Sequence, residues 1–187
     1  MNCSSPKSKS NLDENYLSTI DTTSPNSLED KKVIELGNVP KKLRKCLTKR
    51  EIFNVIELVM PDTFTLMSNE MIAIKYPLKR SSDFVVYTDR DAAVNIAFEY
   101  FSKPILKEEL PTLKGMLEGQ FSKPEIEFRN SEIKEINGSN FVMLEMVTPG
   151  IDTKIYNLMF TTSARGRLLM GSFNCPVDVM EQWRPIR

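Results

Sequence analysis

Histidine is absent from all 187 residues, and that absence excludes more chemistry than any other feature of the chain. Without it no Ser-His-Asp or Cys-His arrangement can be assembled within the chain, and the commonest transition-metal ligand is gone. Cysteine is scarce: Cys3, Cys46 and Cys175 are an odd number with no CxxC spacing. They form neither a disulfide framework nor a zinc motif, and they fit a reducing compartment. No stretch approaches the roughly 20 apolar residues that span a bilayer, and no apolar leader follows Met1. Net charge is lacking too, since 25 basic and 25 acidic residues balance. A neutral chain has no overall attraction for nucleic acid or an anionic membrane. The composition therefore leads us to expect no cofactor and no metal, and a protein partner in preference to nucleic acid.

What is present is a hydrophobic fraction of 41%, enough for one globular core, distributed unevenly along the chain. Residues 1–30 are rich in Ser, Asn, Thr, Asp and Lys, with only scattered Leu12, Tyr16, Leu17 and Ile20. Such a segment cannot bury enough apolar area to offset its ordering entropy, so residues 1–48 read as a disordered polar tail ending in a basic linker. The linker contains Lys41, Lys42, Arg44 and Lys45. These four could contact an anionic surface, but no aromatic residue is interleaved for stacking on bases, and a solvated linker is the simpler reading.

The folded domain is expected over 51–187. Residues 52–61 read as one strand closed by Pro61, and Glu70–Pro77 as a second, alternating Ile72, Ile74 and Tyr76 before Pro77. Asp83–Asp89 and Val94–Phe101 form a hairpin around Asp89-Arg90-Asp91. Leu110, Leu113, Leu117 and Phe121 recur at helical spacing behind Pro111, a favoured first-turn residue. Strands return at 125–136 and 140–147 around Asn137-Gly138, the strongest short hairpin signal. Two more follow at 153–162 and 167–174. The runs FVML, LMF and LLM are apolar on both faces, so both sides of the sheet must be covered there. The 110–121 helix would cover one side. A carboxy-terminal helix, capped by Asn174, begun by Pro176 and anchored by Trp183, would cover the other. The class is α+β, a meandering antiparallel sheet flanked by few helices.

Three motifs invite a catalytic reading. Cys175, beside Pro176 at an expected helix start, could be an activated thiol, although a half-buried junction residue is the plainer reading. Asp89 and Asp91 could hold a divalent cation, but acidic residues are common in hairpin turns. Ser131 and Lys134 have S-x-x-K spacing, which needs a helix and falls here in an expected strand.

The order of LPTLKGMLEGQF, NGSNFVMLEMVTPGIDTKIYNLMFTT and GRLLMGSFNCPVDVMEQWRPI resembles the PsbP/DcrB-like superfamily, whose α/β/α sandwich is shared with the Mog-type Ran-binding proteins. The resemblance covers 51–187. It implies a bacterial, non-catalytic module for protein binding or assembly, with no catalytic residues to carry over. Its partner surface would lie at an exposed sheet edge or beside the final helix, where Trp183 and Arg184 are candidates. The family's last helix usually runs several turns, whereas here the chain ends at Arg187. Cytoplasmic location is expected for the chain as it stands. An alternative is a lipid-tethered envelope protein: Cys3-Ser4-Ser5-Pro6 resembles the tether after a lipidated cysteine, and requires an apolar run upstream of Met1. A thiol-dependent activity at Cys175 is the remaining alternative.

Overall fold

The structure is a computed structural model and describes residues 32–34, 46–78 and 82–183. The 1–30 tail and the 41–45 basic run lie outside those residues. Strands β1 (Lys32–Ile34), β2 (Leu47–Ile52) and β3 (Ile56–Pro61) form a small sheet in the order β1-β3-β2. A short β4 (Thr65–Leu66) and helix α1 (Asn69–Lys75) follow, then β5 (Phe84–Thr88) and β6 (Asn95–Pro104). Helix α2 spans Leu110–Phe121 behind a single 3₁₀ turn. Four long antiparallel strands come next: β7 (Glu127–Ile136), β8 (Ser139–Pro149), β9 (Lys154–Ala164) and β10 (Arg167–Pro176). A 3₁₀ turn at Val177–Val179 and helix α3 (Met180–Trp183) close the described fold. The main sheet has seven strands in the order β4-β5-β6-β10-β9-β8-β7. This is the expected α+β class.

Three elements differ from the sequence reading. The apolar run expected as one strand is a hairpin, β2 and β3, reversed by Phe53 and Asn54 at φ 52° and 58°. No glycine marks that reversal. Asn tolerates the left-handed region, whereas Phe does so at a cost. The Phe53 ring is held by stacking on Tyr100, with centroids 6.1 Å apart. Because β2 starts at Leu47, it also takes in Lys49 and Arg50 from the end of the basic stretch.

The second difference is α1, expected as a strand. Ile72, Ile74 and Tyr76 alternate, but Ile72 and Tyr76 are also four apart, and that pair packs against Val86, Ala97 and Phe84. The Ser68 hydroxyl accepts from the Met71 amide at 3.3 Å, and this N-cap favours a helix over the strand period. The third is the carboxy-terminal turn. β10 continues through Asn174, Cys175 and Pro176, which face Asn157, Tyr156 and Ile155 on β9. Asn174 is therefore a strand residue, and the helical turn begins at Val177.

Alternation separates the two faces of the main sheet. One face carries Ile96, Phe98, Tyr100, Tyr156, Leu158, Leu169 and Cys175, packed on Ile52, Ile56, Met60 and Phe64 from the small sheet and its exit. The small sheet is the principal cover of this face, and Met180 and Trp183 only complete it. The expectation that the carboxy-terminal helix would do this work is corrected: α3 offers four residues among those described, while the β2–β3 hairpin offers a full apolar row. The opposite face carries both longer helices. α2 packs Leu110, Leu113, Leu117 and Phe121 on Val142, Leu144, Met146 and Leu168, and α1 packs on β5 and β6.

Gly171 allows the small-sheet side to close. The Phe160 ring of β9 lies over it, and a Cβ built there would stand 2.2 Å from that ring. Phe160 thereby reaches across β10 to Phe98, edge to face at 5.9 Å. Substituting Gly171→Ala forces the ring off this site in a close-packed core. We expect a loss of about 1–3 kcal/mol, read as a lowered denaturant midpoint with an unchanged slope.

Candidate functional site

Among the described residues, the two helices sit at opposite ends of their face and leave a shallow cleft between them, whose Met159 and Met170 pack on the α2 side. Here β6, β10 and β9 present cross-strand rows fixed by register. Ala97, Ser172 and Met159 make one row, and Glu99 and Met170 belong to the next, bordered by Phe84 and Tyr76. Tyr76 meets Phe84 edge to face at 5.5 Å and forms the α1 wall. The cleft is about 100 Å³ in volume. Typical small-molecule sites begin near roughly 300 Å³, so this one has room for a side chain and not for a cofactor. Ser172, Met159, Met170 and Glu99 are half-buried.

Two residues along the strands, roughly 7 Å away, runs a row of a different kind. Thr88, Asn95, Asn174 and Asn157 lie side by side across β5, β6, β10 and β9. The Thr88 hydroxyl donates to Asn95 Oδ1 at 2.8 Å, and Asn95 Nδ2 donates to Asn174 Oδ1 at 3.0 Å. Asn157 Nδ2 donates to Thr148 Oγ1 and to the Ile155 carbonyl, both at 3.0 Å. A carbonyl only accepts, so the Ile155 bond fixes which way the Asn157 amide points.

The polar residues singled out from the sequence do not join this cleft. Trp183 is half-buried on the other side of the sheet, packed on Phe64 at 5.5 Å and Phe173 at 6.0 Å. It is a packing residue, and Trp183→Ala is expected to cost about 2 kcal/mol in chemical denaturation. Cys3, Lys41, Lys42, Arg44, Lys45 and Arg184 lie outside the described residues. Asp89 spends its carboxylate on its own turn, accepting from the Ala93 and Val94 amides at 2.8 and 3.0 Å. Among the described residues no group of three or more acids or cysteines is placed to hold a metal ion. Ser131 and Lys134 point to opposite faces of β7, being three apart in its regular part.

Cys175 has no exposed surface. Burial, with a smaller contribution from the Asp178 charge, pushes its thiol from an ordinary 9.0 up to about 11. A thiol so placed is held in its protonated, weakly nucleophilic form at neutral pH. Because the unfolded state gives up the proton first, Cys175 withdraws stability as pH rises from 9 towards 11. Cys175→Ala should reduce that alkaline loss when stability is compared at pH 8 and 10.5. In native protein a thiol reagent should label exposed Cys46 and spare Cys175 until denaturant is added.

The sequence reading passed over Asn95 and Asn157 and took Asn174 only as a helix cap. The signal was present in NIAFEYF, IYNLMF and GSFNCP, each an apolar strand carrying one asparagine, a residue depleted in strands. That the three share one row is a matter of register. A second concavity, about 510 Å³, lies between the end of α2 and β7, lined by Phe121, Pro124, Ile126 and Phe128. Its polar groups are the turn at 122–124, where the Lys123 amide donates to the Phe121 carbonyl at 2.9 Å, and Glu118, paired with Lys114 at 2.7 Å.

No family model matches the chain, and no curated protein matches it. Among solved structures it is similar to the solution structure of PsbP from the cyanobacterium Synechocystis sp. PCC 6803. The identity is 16% and the TM-score 0.51, over 74% of this chain and 85% of that one. It also matches PA94 from Pseudomonas aeruginosa, a protein of unknown function, at 10% identity and TM-score 0.42, over 74% and 89%. The chain has a PsbP-like fold.

Proposed function

We propose that this protein is a non-catalytic protein-binding module that engages its partner through the cleft on the helical face. One observation carries the reading: among the described residues, a sheet covered by the small sheet on one side has a cleft on the other, between α1 and α2, over half-buried Met159, Met170 and Phe84. Apolar side chains partly exposed in a concave, preformed cleft are the usual substrate of protein recognition. Methionine suits such a surface because its unbranched, polarisable chain repacks around different occupants. Residues with catalytic potential do not converge there, since Cys175 is sealed on the far side and Asp89 is held in its turn. The likeness to PsbP, a fold neighbour, accords with this reading.

The reading is tested with the full chain immobilised and exposed to a lysate of its own source organism. Ser172 stands in the cleft floor, and Ser172→Trp fills the cleft while leaving the opposite core untouched. A partner retained by the wild type and lost by Ser172→Trp, with the variant's melting temperature within a few degrees, is the expected result. Equal capture by both proteins, or by neither, removes the cleft as the binding surface.

A further inference from the structure

We infer that β7 is a homodimerisation edge: two copies of this chain pair their β7 strands antiparallel about Ile133. Glu132 of each copy then faces Lys134 of the other, and the two main sheets run on as one. The inference goes beyond the cleft reading and concerns a different surface, two strands past β9 in the sheet order.

The last strand of a sheet presents a row of main-chain N–H and C=O groups to whatever can pair with it. Among the described residues the main sheet ends in β4 on one side and β7 on the other. β4 is two residues long, too short to template a partner. β7 has ten residues, none of them proline, and only β8 beside it. A bulge at Arg129 shifts its register with β8 between Phe128 and Asn130, so the regular part is 130–136. There the turn decides which groups face outward. Asn137 and Gly138, both at positive φ, make a two-residue loop of the kind that closes on a hydrogen-bonded pair, here Ile136 with Ser139. Bonded and non-bonded pairs alternate from that point. Ile136, Lys134, Glu132 and Asn130 therefore bond to β8, while Glu135, Ile133 and Ser131 aim N–H and C=O at the edge. Among the described residues those three main-chain pairs meet no partner.

The side chains choose the occupant. Two copies related by a two-fold axis use the same patch on both sides, so an antiparallel pairing centres on one residue that faces itself. Centring on Glu132, Lys134 or Glu135 sets like charges directly opposite, which destabilises the pair. Centring on Ser131 brings Ile133 against the Arg129 bulge. Ile133 avoids both faults. It meets its own copy as an apolar pair, and it is 39% exposed without one. Ser131 then meets Glu135 on each side, so all three outward residues fall in hydrogen-bonded pairs that exchange both bonds. Glu132 and Lys134 fall in the non-bonded pairs between them, where Cα atoms are about 4.5 Å apart and side chains are closest. Both are exposed, and neither has an ion-pair partner among the described residues. Opposite charges directly across a ladder stabilise it, and the two-fold makes this pair twice. The edge is its own complement, in main chain and in charge, and that points to a second copy of the chain.

The test is sedimentation of the full chain from micromolar to millimolar concentration. A reversible monomer–dimer equilibrium is expected, weakened by added salt. Hydrogen exchange at the Ser131, Ile133 and Glu135 amides should slow as concentration rises. Glu132→Lys sets a lysine against Lys134 twice, and Lys134→Glu sets a glutamate against Glu132 twice. Each single variant should self-associate at least about tenfold more weakly while melting near the wild type, since both positions are exposed. The double variant Glu132→Lys/Lys134→Glu restores unlike pairs and should dimerise again. An equimolar mixture of the two single variants should form the heterodimer, because every charged pair across that edge is again unlike. A chain monomeric at every concentration overturns the inference. So does a dimer that the single variants leave intact, or one that neither the double variant nor the mixture restores. A monomer whose three amides are protected at every dilution assigns the edge to another segment of the chain, and overturns it as well.

Discussion

Everything in this structure depends on β6, β10 and β9 being sealed along one face and partly covered on the other. A strand in the middle of a seven-stranded sheet that is apolar on both faces needs two covers, and the chain supplies them by different means. On one side the β2–β3 hairpin lays a second small sheet against Phe98, Tyr156 and Leu169. Close approach there is possible because Gly171 has no side chain, so that Phe160 crosses β10 to reach Phe98. On the other side two helices of 7 and 12 residues are too short and too far apart to cover the full width.

Incomplete cover on that side is what gives the molecule a candidate site. Beneath a continuous helix layer, an asparagine row would be a buried polar network needing every group satisfied. Beside the cleft it satisfies itself on one flank, through Thr88, Asn95, Thr148 and the Ile155 carbonyl. Rigidity comes from the ladder beneath: each asparagine stands on a long strand paired on both sides. The asparagines are thus presented by the least deformable part of the fold, with adaptable methionines beside them.

How much of this was legible depends on the range of each interaction. Helix α2 could be read because Pro111 and a four-residue apolar period act within the element itself, and the Asn137-Gly138 hairpin because its left-handed turn (φ 49° and 72°) is a property of two residues. Helix α1 was misread because Ile72 and Tyr76 satisfy both periods, so only the Ser68 cap and the packing on Val86 separated helix from strand. The Phe53-Asn54 reversal left no local mark, because its strained residue is held by Tyr100, nearly fifty positions away. Asn174 looked like a helix cap because asparagine before proline is one, until pairing with β9 carried β10 past it.

By itself the sequence determined the class of the protein: a neutral, histidine-free α+β chain whose apolar strands demand burial on both faces. These are consequences of composition and short-range periodicity, and they do not change with the neighbours a residue acquires. The tertiary structure alone decided which element covers which face, that Cys175 is sealed and its thiol pKa raised, and that three asparagines from distant segments share one row. Those outcomes follow from register and layer packing, which bring together residues 79 positions apart, as between Asn95 and Asn174, and no local pattern encodes such a meeting.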